Sequence, residues 1–294
     1  MRLELAWGRV RRSYLKTFRR RYLQRMQALR RGDPAGCPHE VLDPRDLKFY
    51  RNVTTCHWAP EDDPFAWRDR LPFAREGLAE LVLFLGLFLA LTIGLAFVYW
   101  PVAAVPAVLA LFVLWFFRNP RRTVPSAPGL VVAPADGKVV AIEEIEFDEY
   151  VQGPAVMIGI FLSVFNVHVN RAPVASRVIG MTYRPGKFLN ALRPASAREN
   201  EQLAVRLEES TSPHRRFIVR QIAGAIARRI VCFAKPGDEL ARGQRFGMIK
   251  LGSRTELVLP RQSGLTVEVR LGQKVRAGTT VMASYPASQA QPAQ

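Results

Sequence analysis

The stretch RFGMIKLGSRTELVLP, Arg245 to Pro260, sets two β-rich runs, GMIK and TELVLP, on either side of a glycine–serine step. Glycine weakens a strand interior and marks a bulge or a close backbone approach. Gly252–Ser253 is therefore either an ordinary bulge or a place where the backbone itself takes part in chemistry. The surrounding sequence has the same β character. GLVVAPADGKVVAIEEI (129–145) reads as two apolar runs about a Pro-Ala-Asp-Gly turn, a hairpin signal. AVMIGIFLSVFNVHVNRAPV (155–174) is rich in Val, Ile and Phe and reads as strands. HRRFIVRQIAGAIARRIVCFAK (214–235) opens as a strand and continues either as a short helix or as another strand. GDELARG (237–243) returns 35 residues later as GQKVRAG (272–278), a turn pattern of small β-sandwich hairpins of the biotinyl/lipoyl-carrier kind. The tail PASQAQPAQ (286–294) has few bulky apolar residues and is expected to be disordered.

Upstream the character changes. From Leu81 to Phe117, 37 residues pass without a charge. A membrane span needs roughly 20 apolar residues. Pro101 and Pro106 sit near the middle of the block, and proline breaks helices. The block therefore predicts two segments, Leu81–Tyr99 and Val102–Phe117, folded as a membrane hairpin that spans or re-enters the bilayer. Tyr99 and Trp100 fall at its turn, as interfacial aromatics do. A buried helical hairpin of a soluble protein is the competing reading. Arg68, Arg70 and Arg75 precede the block, and Arg118, Arg121 and Arg122 follow it. Basic flanks favour the cytoplasmic side, so both soluble parts are expected there.

The chain of 294 residues carries 42 Lys+Arg against 25 Asp+Glu, a net +17 that calls for an anionic partner. Much of the excess lies in residues 1–31, which hold eleven Lys/Arg and a single acid, Glu4. Leu3, Trp7, Val10, Tyr14, Leu15, Phe18, Tyr22 and Met26 recur there at spacings of three and four. That pattern predicts a basic amphipathic helix, suited to an anionic bilayer surface. Nucleic acid is the rival partner, but a membrane hairpin in the same chain favours lipid, and no nucleic-acid partner is expected. The three cysteines, Cys37, Cys56 and Cys232, are odd in number and scattered, which points to a reducing compartment and no disulfide framework. Cys37, His39, Cys56 and His57 are zinc-ligand types without a finger's spacing, so no metal is expected.

Four features stand in one order: the charge-free block, PADGKV (134–139), FNVHVNRAPV (165–174) and RFGMIKLGSR (245–254). Together they resemble the phosphatidylserine decarboxylase family in its short form, over roughly Leu78 to Tyr285. The resemblance implies a mainly β, α+β fold: a barrel-sandwich-like catalytic domain (118–285) after a basic N-terminal extension (1–77) and the membrane hairpin (78–117). It implies self-cleavage between Gly252 and Ser253 into large and small chains from one precursor. Ser253 would become a covalent pyruvoyl cofactor, an electron sink for decarboxylating an anionic phospholipid, phosphatidylserine, to phosphatidylethanolamine at the cytoplasmic face of the cell membrane. Glycine at 252 suits the step, because it tolerates strained dihedrals and leaves its carbonyl open to attack by the Ser253 hydroxyl. His168 matches a family histidine and is the candidate proton donor to the substrate carbon. Asp136 matches an aspartate tied to self-cleavage. Long-form relatives carry a second histidine three places on, where this chain has Arg171, and read LGST where this chain has LGSR. Arg171 and Arg254 are thus candidates for binding the substrate's carboxylate or phosphate, which suits arginine's planar fork. Two other readings compete. A carrier or adaptor would need a modifiable tip lysine, and Lys138 lacks Met-Lys-Met flanks. A tethered nucleic-acid binder would have no use for Gly252–Ser253.

Overall fold

The computed structural model describes residues 2–33, 40–47, 56–225, 229–250 and 252–286. Cys37, His39 and the tail from residue 287 lie outside the described residues. The chain forms two compact units, divided after Pro120.

The second unit is β-rich. Its main sheet has eight antiparallel strands in the order β11-β7-β8-β9-β13-β5-β4-β15. In chain order these are β4 (Gly137–Asp148), β5 (Gly153–Leu162), β7 (Ser176–Arg184), β8 (Gln202–Glu209), β9 (Arg216–Ile222), β11 (Glu239–Leu240), β13 (Ser253–Pro260) and β15 (Lys274–Val275). Two small sheets complete it. One holds β6 (Val169–Arg171), β10 (Ile230–Cys232) and β12 (Arg245–Ile249), and the other β3 (Leu130–Val132), β14 (Thr266–Val267) and β16 (Val281–Ser284). A short helix, α5 (Ser196–Glu199), precedes β8. Ile158, Ile160, Leu162, Val205, Leu207, Phe217, Val219, Leu257 and Leu259 are buried in one apolar cluster with Val131, Phe246 and Met282.

The Gly/charged echo is a structural repeat. Gly237, Gly243, Gly272 and Gly278 all have positive φ, from 72° to 94°, where glycine alone is comfortable. The bonds repeat too. Gly237 N–H donates to Val178 O as Gly272 N–H does to Val139 O, and Gly243 N–H to Ala172 O as Gly278 N–H does to Ala133 O. Arg171 N–H in turn donates to Pro134 O, and Val132 N–H to Pro173 O. The two halves lock through the Ala-Pro steps at 133–134 and 172–173.

Those bonds overturn the hairpin expected about Pro134–Gly137. β3 pairs with β16, while β4 pairs with β5 and β15. The PADG segment carries the chain from one sheet to another, and its backbone is occupied by β6. β12 ends at Ile249 and β13 begins at Ser253 in a different sheet, so the glycine–serine step is not a bulge within one strand. The ambiguous 214–235 segment is strand at both ends, β9 and β10.

The first unit begins with α1 (Arg2–Phe18) and α2 (Arg20–Ala28), followed by the strand pair β1 (Arg30–Gly32) and β2 (Cys56–Trp58). It ends in α3 (Leu78–Val98) and α4 (Trp100–Phe116), which pack on each other. The helix from Arg75 to Val98 is long and apolar enough to cross a membrane, whereas Trp100–Phe116 is shorter. The break is narrower than the prolines implied, with only Tyr99 outside both helices, in an extended conformation. Pro101 sits in the first turn of α4, where its missing N–H costs nothing, and Pro106 lies inside the helix. Arg68 and Arg75, read as a basic flank, sit in an ion network before α3. Arg75 pairs with Asp43 at 2.7 Å, Asp63 at 2.6 Å and Asp69 at 2.8 Å; Arg68 pairs with Asp46 at 2.9 Å and Asp43 at 3.3 Å.

Candidate functional site

Where the chain crosses from β12 to β13, three sequence-predicted residues meet. Gly252 has φ 65°. A Cβ there would find only Val164 Cγ1, at 3.9 Å, so the dihedral and not space calls for glycine. Its N–H donates to His168 Nε2 at 3.0 Å. His168 is fully buried in the loop before β6, and its Nδ1 lies 2.9 Å from Asn166 O. A carbonyl only accepts, so Nδ1 carries the proton and Nε2 presents its lone pair to Gly252. Asn166 is fixed in turn, since its side-chain oxygen accepts from Ser163 N–H at 2.9 Å and Ser163 Oγ at 2.7 Å.

Ser253 is the first residue of β13, with its backbone opposite Leu162 of β5. Its side chain is fully buried, yet Oγ has no hydrogen-bond partner among the described residues. An unsatisfied buried hydroxyl costs about 1–3 kcal/mol. Strand alternation puts Ser253 on the same face as Thr255, Leu257 and Leu259, toward the core. Next to it runs a buried amide relay. Gln221 Nε2 donates to Asn170 Oδ1 at 2.9 Å, and Asn170 Nδ2 to Thr255 Oγ1 at 3.0 Å. Gln221 Oε1 is a second unsatisfied buried oxygen.

The Gly252 carbonyl has a neighbour that the sequence does not single out. β9 runs beside β13, pairing Ile222 with Arg254, and Gly224 follows it. A Cβ on Gly224 would fall 2.0 Å from Gly252 O and 3.0 Å from Gly252 C. Glycine at 224 therefore lets the neighbouring backbone lie directly against that carbonyl. The AGA of 223–225 has no other signal to find it by.

Asp136 is placed differently. It is buried, accepts from Arg122 Nη2 at 2.7 and 2.9 Å, and accepts from Ala277 N–H at 2.8 Å. The structure thus joins Asp136 to Arg122, which the sequence offered only as a flanking charge. No hydrogen bond among the described residues joins Asp136 to His168 or Ser253. Arg171, partly buried, donates from Nη1 to Gly243 O at 2.9 Å. Arg254 is only 5% exposed, and its Nε donates to Glu256 Oε1 at 3.0 Å, so its guanidinium is committed within the sheet. Burial pushes the Cys232 thiol up to about 12, out of the range of thiolate chemistry. Among the described residues no group of His, Cys, Asp and Glu could hold a metal ion.

A left-handed glycine, a buried serine and a histidine on the glycine's own amide thus stand together at this step. A family model described as phosphatidylserine decarboxylase matches residues 109–283. A phosphatidylserine decarboxylase proenzyme of Rhodopirellula baltica is 53% identical over 239 residues, 81% of this chain and 99% of that one. Proteins of the same name from Symbiobacterium thermophilum and Syntrophus aciditrophicus are 47% and 41% identical over 213 and 212 residues, each covering 72% of this chain and 95% and 97% of their own. This chain belongs to the phosphatidylserine decarboxylase family.

Proposed function

We propose that the bond between Gly252 and Ser253 is the self-cleavage site, and that Ser253 becomes the enzyme's covalent pyruvoyl group. The chain is a phosphatidylserine decarboxylase, converting phosphatidylserine to phosphatidylethanolamine with release of carbon dioxide. The observation that carries the site is the buried, unpartnered Ser253 hydroxyl beside a left-handed Gly252 whose amide His168 holds.

Cleavage follows from these groups. The Ser253 oxygen bonds to the Gly252 carbonyl carbon, the amide C–N bond breaks, and the nitrogen takes up the hydroxyl's proton. An ester remains. Loss of the Ser253 α-proton expels the Gly252 carboxylate and leaves dehydroalanine, whose nitrogen water displaces as ammonia. The Ser253 site fits the resulting group: it is fully buried, sits at the start of a strand, and Ser253 Oγ and Gln221 Oε1 there have no hydrogen-bond partner among the described residues. When bound, the group supplies an electron sink for the carbon that loses carbon dioxide. His168 then serves turnover. Its tautomer is fixed by Asn166 O, and Nε2 is the atom placed to carry a proton to the substrate carbon once Gly252 has become a chain end. Asp136, clamped by Arg122 and the Ala277 N–H, braces the crossover between β3 and β4, whose Pro134 carbonyl holds β6 and with it His168. Arg171, three residues from His168, is the arginine we assign to the anionic headgroup; Arg254 belongs to the sheet.

The α3–α4 pair is read as the membrane hairpin, 78–117, with the decarboxylase domain, 118–285, in a barrel-sandwich-like form on the cytoplasmic side. The doubled glycine turns support the fold, and the charge-free helix of membrane-crossing length supports the tether. The test is the intact mass of the purified protein. Two chains are expected, Met1–Gly252 and a 42-residue chain beginning at the former Ser253 with a blocked N-terminus. One chain of full length in an active preparation would overturn the reading.

A further inference from the structure

The first helix has more apolar surface than the fold covers. On α1, Leu15 is buried and Leu5 partly buried against Val41, Leu42, Leu47 and Leu23. A second stripe on the same helix faces out. Trp7, Val10, Tyr14 and Phe18 follow one another at spacings of three, four and four, so they share one side of the helix. All four are more than half exposed, Phe18 at 72%. The Tyr14 and Phe18 rings pack on each other at 5.2 Å, so the stripe is a continuous patch. Scattered exposed apolar residues need no explanation, but an aligned aromatic stripe marks an interaction surface.

Two observations say what covers it. The first is charge. Arg9, Lys16, Arg20, Arg21 and Arg25 are exposed along α1 and α2. In residues 2–31 the one acid is Glu4. Trp and Tyr on one face with Lys and Arg on the other is the composition of a helix lying in a bilayer's headgroup layer. The second is position. On the covered side, Arg11 lies over the Phe65 ring at 5.2 Å and Arg68 over the same ring at 5.0 Å, and Arg68 shares Asp43 with Arg75, where the Arg75–Val98 helix begins. The inner face of α1 thus packs beside the ion network at the root of the one helix, among the described residues, long enough to cross a membrane. A helix held at that root lies where a bilayer surface would be.

We infer that the stripe Trp7–Val10–Tyr14–Phe18 seats in the headgroup layer of an anionic phospholipid bilayer. This rests on the reading of α3–α4 as the membrane tether and goes beyond it. The tether fixes the chain to the membrane, and the stripe fixes how the first unit lies on it, with its arginines drawing anionic lipid to the surface.

The full-length protein is reconstituted into two kinds of vesicle, phosphatidylcholine alone and phosphatidylcholine with phosphatidylglycerol. Each kind carries phospholipid brominated high on the acyl chain. Tryptophan quenching is compared between the parent and Trp7→Phe, so the difference belongs to Trp7. Quenching of that difference signal is expected in the anionic vesicles, reduced severalfold in the neutral ones and in high salt. An absent Trp7 signal in both kinds overturns the inference. Equal quenching in both overturns its anionic part. A Trp7 signal that instead changes with protein density in the membrane identifies a second copy as the occupant and also overturns it. Extraction with alkaline carbonate, read on the same vesicles, reports the tether separately. Protein that washes off would refute the hairpin reading, whereas retained protein without Trp7 quenching would refute the stripe alone. Chain cleavage and decarboxylation in detergent micelles are expected to be unchanged in Trp7→Phe.

Discussion

Gly224→Ala tests whether self-cleavage depends on how the neighbouring strand sits against the scissile carbonyl. The added Cβ would lie 2.0 Å from Gly252 O. Carbon–oxygen contacts settle at about 3.3–3.6 Å, so the carbonyl or the strand end must move by roughly 1.3 Å or more. The opposing atoms are backbone, and no side-chain rotamer change relieves them. Gly252 is the freer party, since a Cβ there has no neighbour closer than 3.9 Å, and the displacement should fall on it. A misplacement of about 1 Å in a reacting group can cost on the order of 10²-fold. Overpacking of this sort costs about 1–3 kcal/mol, so the domain should still fold. The assay is the time course of chain cleavage on denaturing gels from freshly made precursor, with thermal unfolding alongside. Gly180→Ala is the control, because Gly180 lies in β7 of the same sheet and its added Cβ would meet nothing within 4 Å. Slowing by about 10²-fold or more in Gly224→Ala, with normal cleavage in Gly180→Ala, is expected. A folded Gly224→Ala protein that cleaves at the parent rate would refute the argument.

Three further outcomes are expected. Ser253→Ala removes the attacking oxygen and should leave one uncleaved chain without decarboxylase activity; two chains on a denaturing gel would exclude the acyl shift. His168→Ala should cut phosphatidylethanolamine formation by about 10²–10⁴-fold and slow chain cleavage less, measured on one preparation; unchanged turnover would remove His168 from the reaction. Burial first, and Asp43 second, raise the Asp46 carboxyl from 3.8 to about 6. A raised acid favours the fold most when protonated, so its contribution is full below about 3.8 and lost as pH rises through about 6. Asp46→Asn should therefore gain thermal stability relative to the parent between about pH 4 and about pH 7, and a difference that stays constant across that range would count against the assignment.

The sequence exposed what is periodic or chemically unusual. A run of 37 uncharged residues can only be apolar helix here, and the structure differs from the expectation by where the turn falls, at Tyr99 alone. The repeated Gly-x-charged-aliphatic turns were legible because a left-handed dihedral demands glycine in each copy. Pairing was not legible. Pro134–Gly137 has hairpin chemistry, yet its backbone bonds go to β6, and a partner across the fold leaves no local mark. The same limit hid the site's surroundings. His168, Gly252 and Ser253 come together from segments 84 and 85 residues apart, and family resemblance pointed to them where spacing could not. Arg122 and Gly224 act through strand register and sheet crossover, for which Arg in a basic flank and Gly between alanines give no signal.

His168 is engaged in the uncleaved chain in a way that separates its two possible duties. Its Nε2 accepts the Gly252 N–H, and its Nδ1–H is spent on Asn166 O. Before it could take the Ser253 hydroxyl's proton, Nε2 would have to release the amide that keeps Gly252 in its left-handed turn. A bond that holds the scissile glycine in place favours attack through geometry, while the base function needs that bond broken. Cleavage removes the conflict, because Gly252 becomes a chain end that no strand holds to Ser253. The event that makes the reactive group on Ser253 also frees the nitrogen beside it. On the proposed reading, such a precursor would hold its proton donor back until there is a substrate carbon for it to serve, and position Gly252 with the same atom meanwhile.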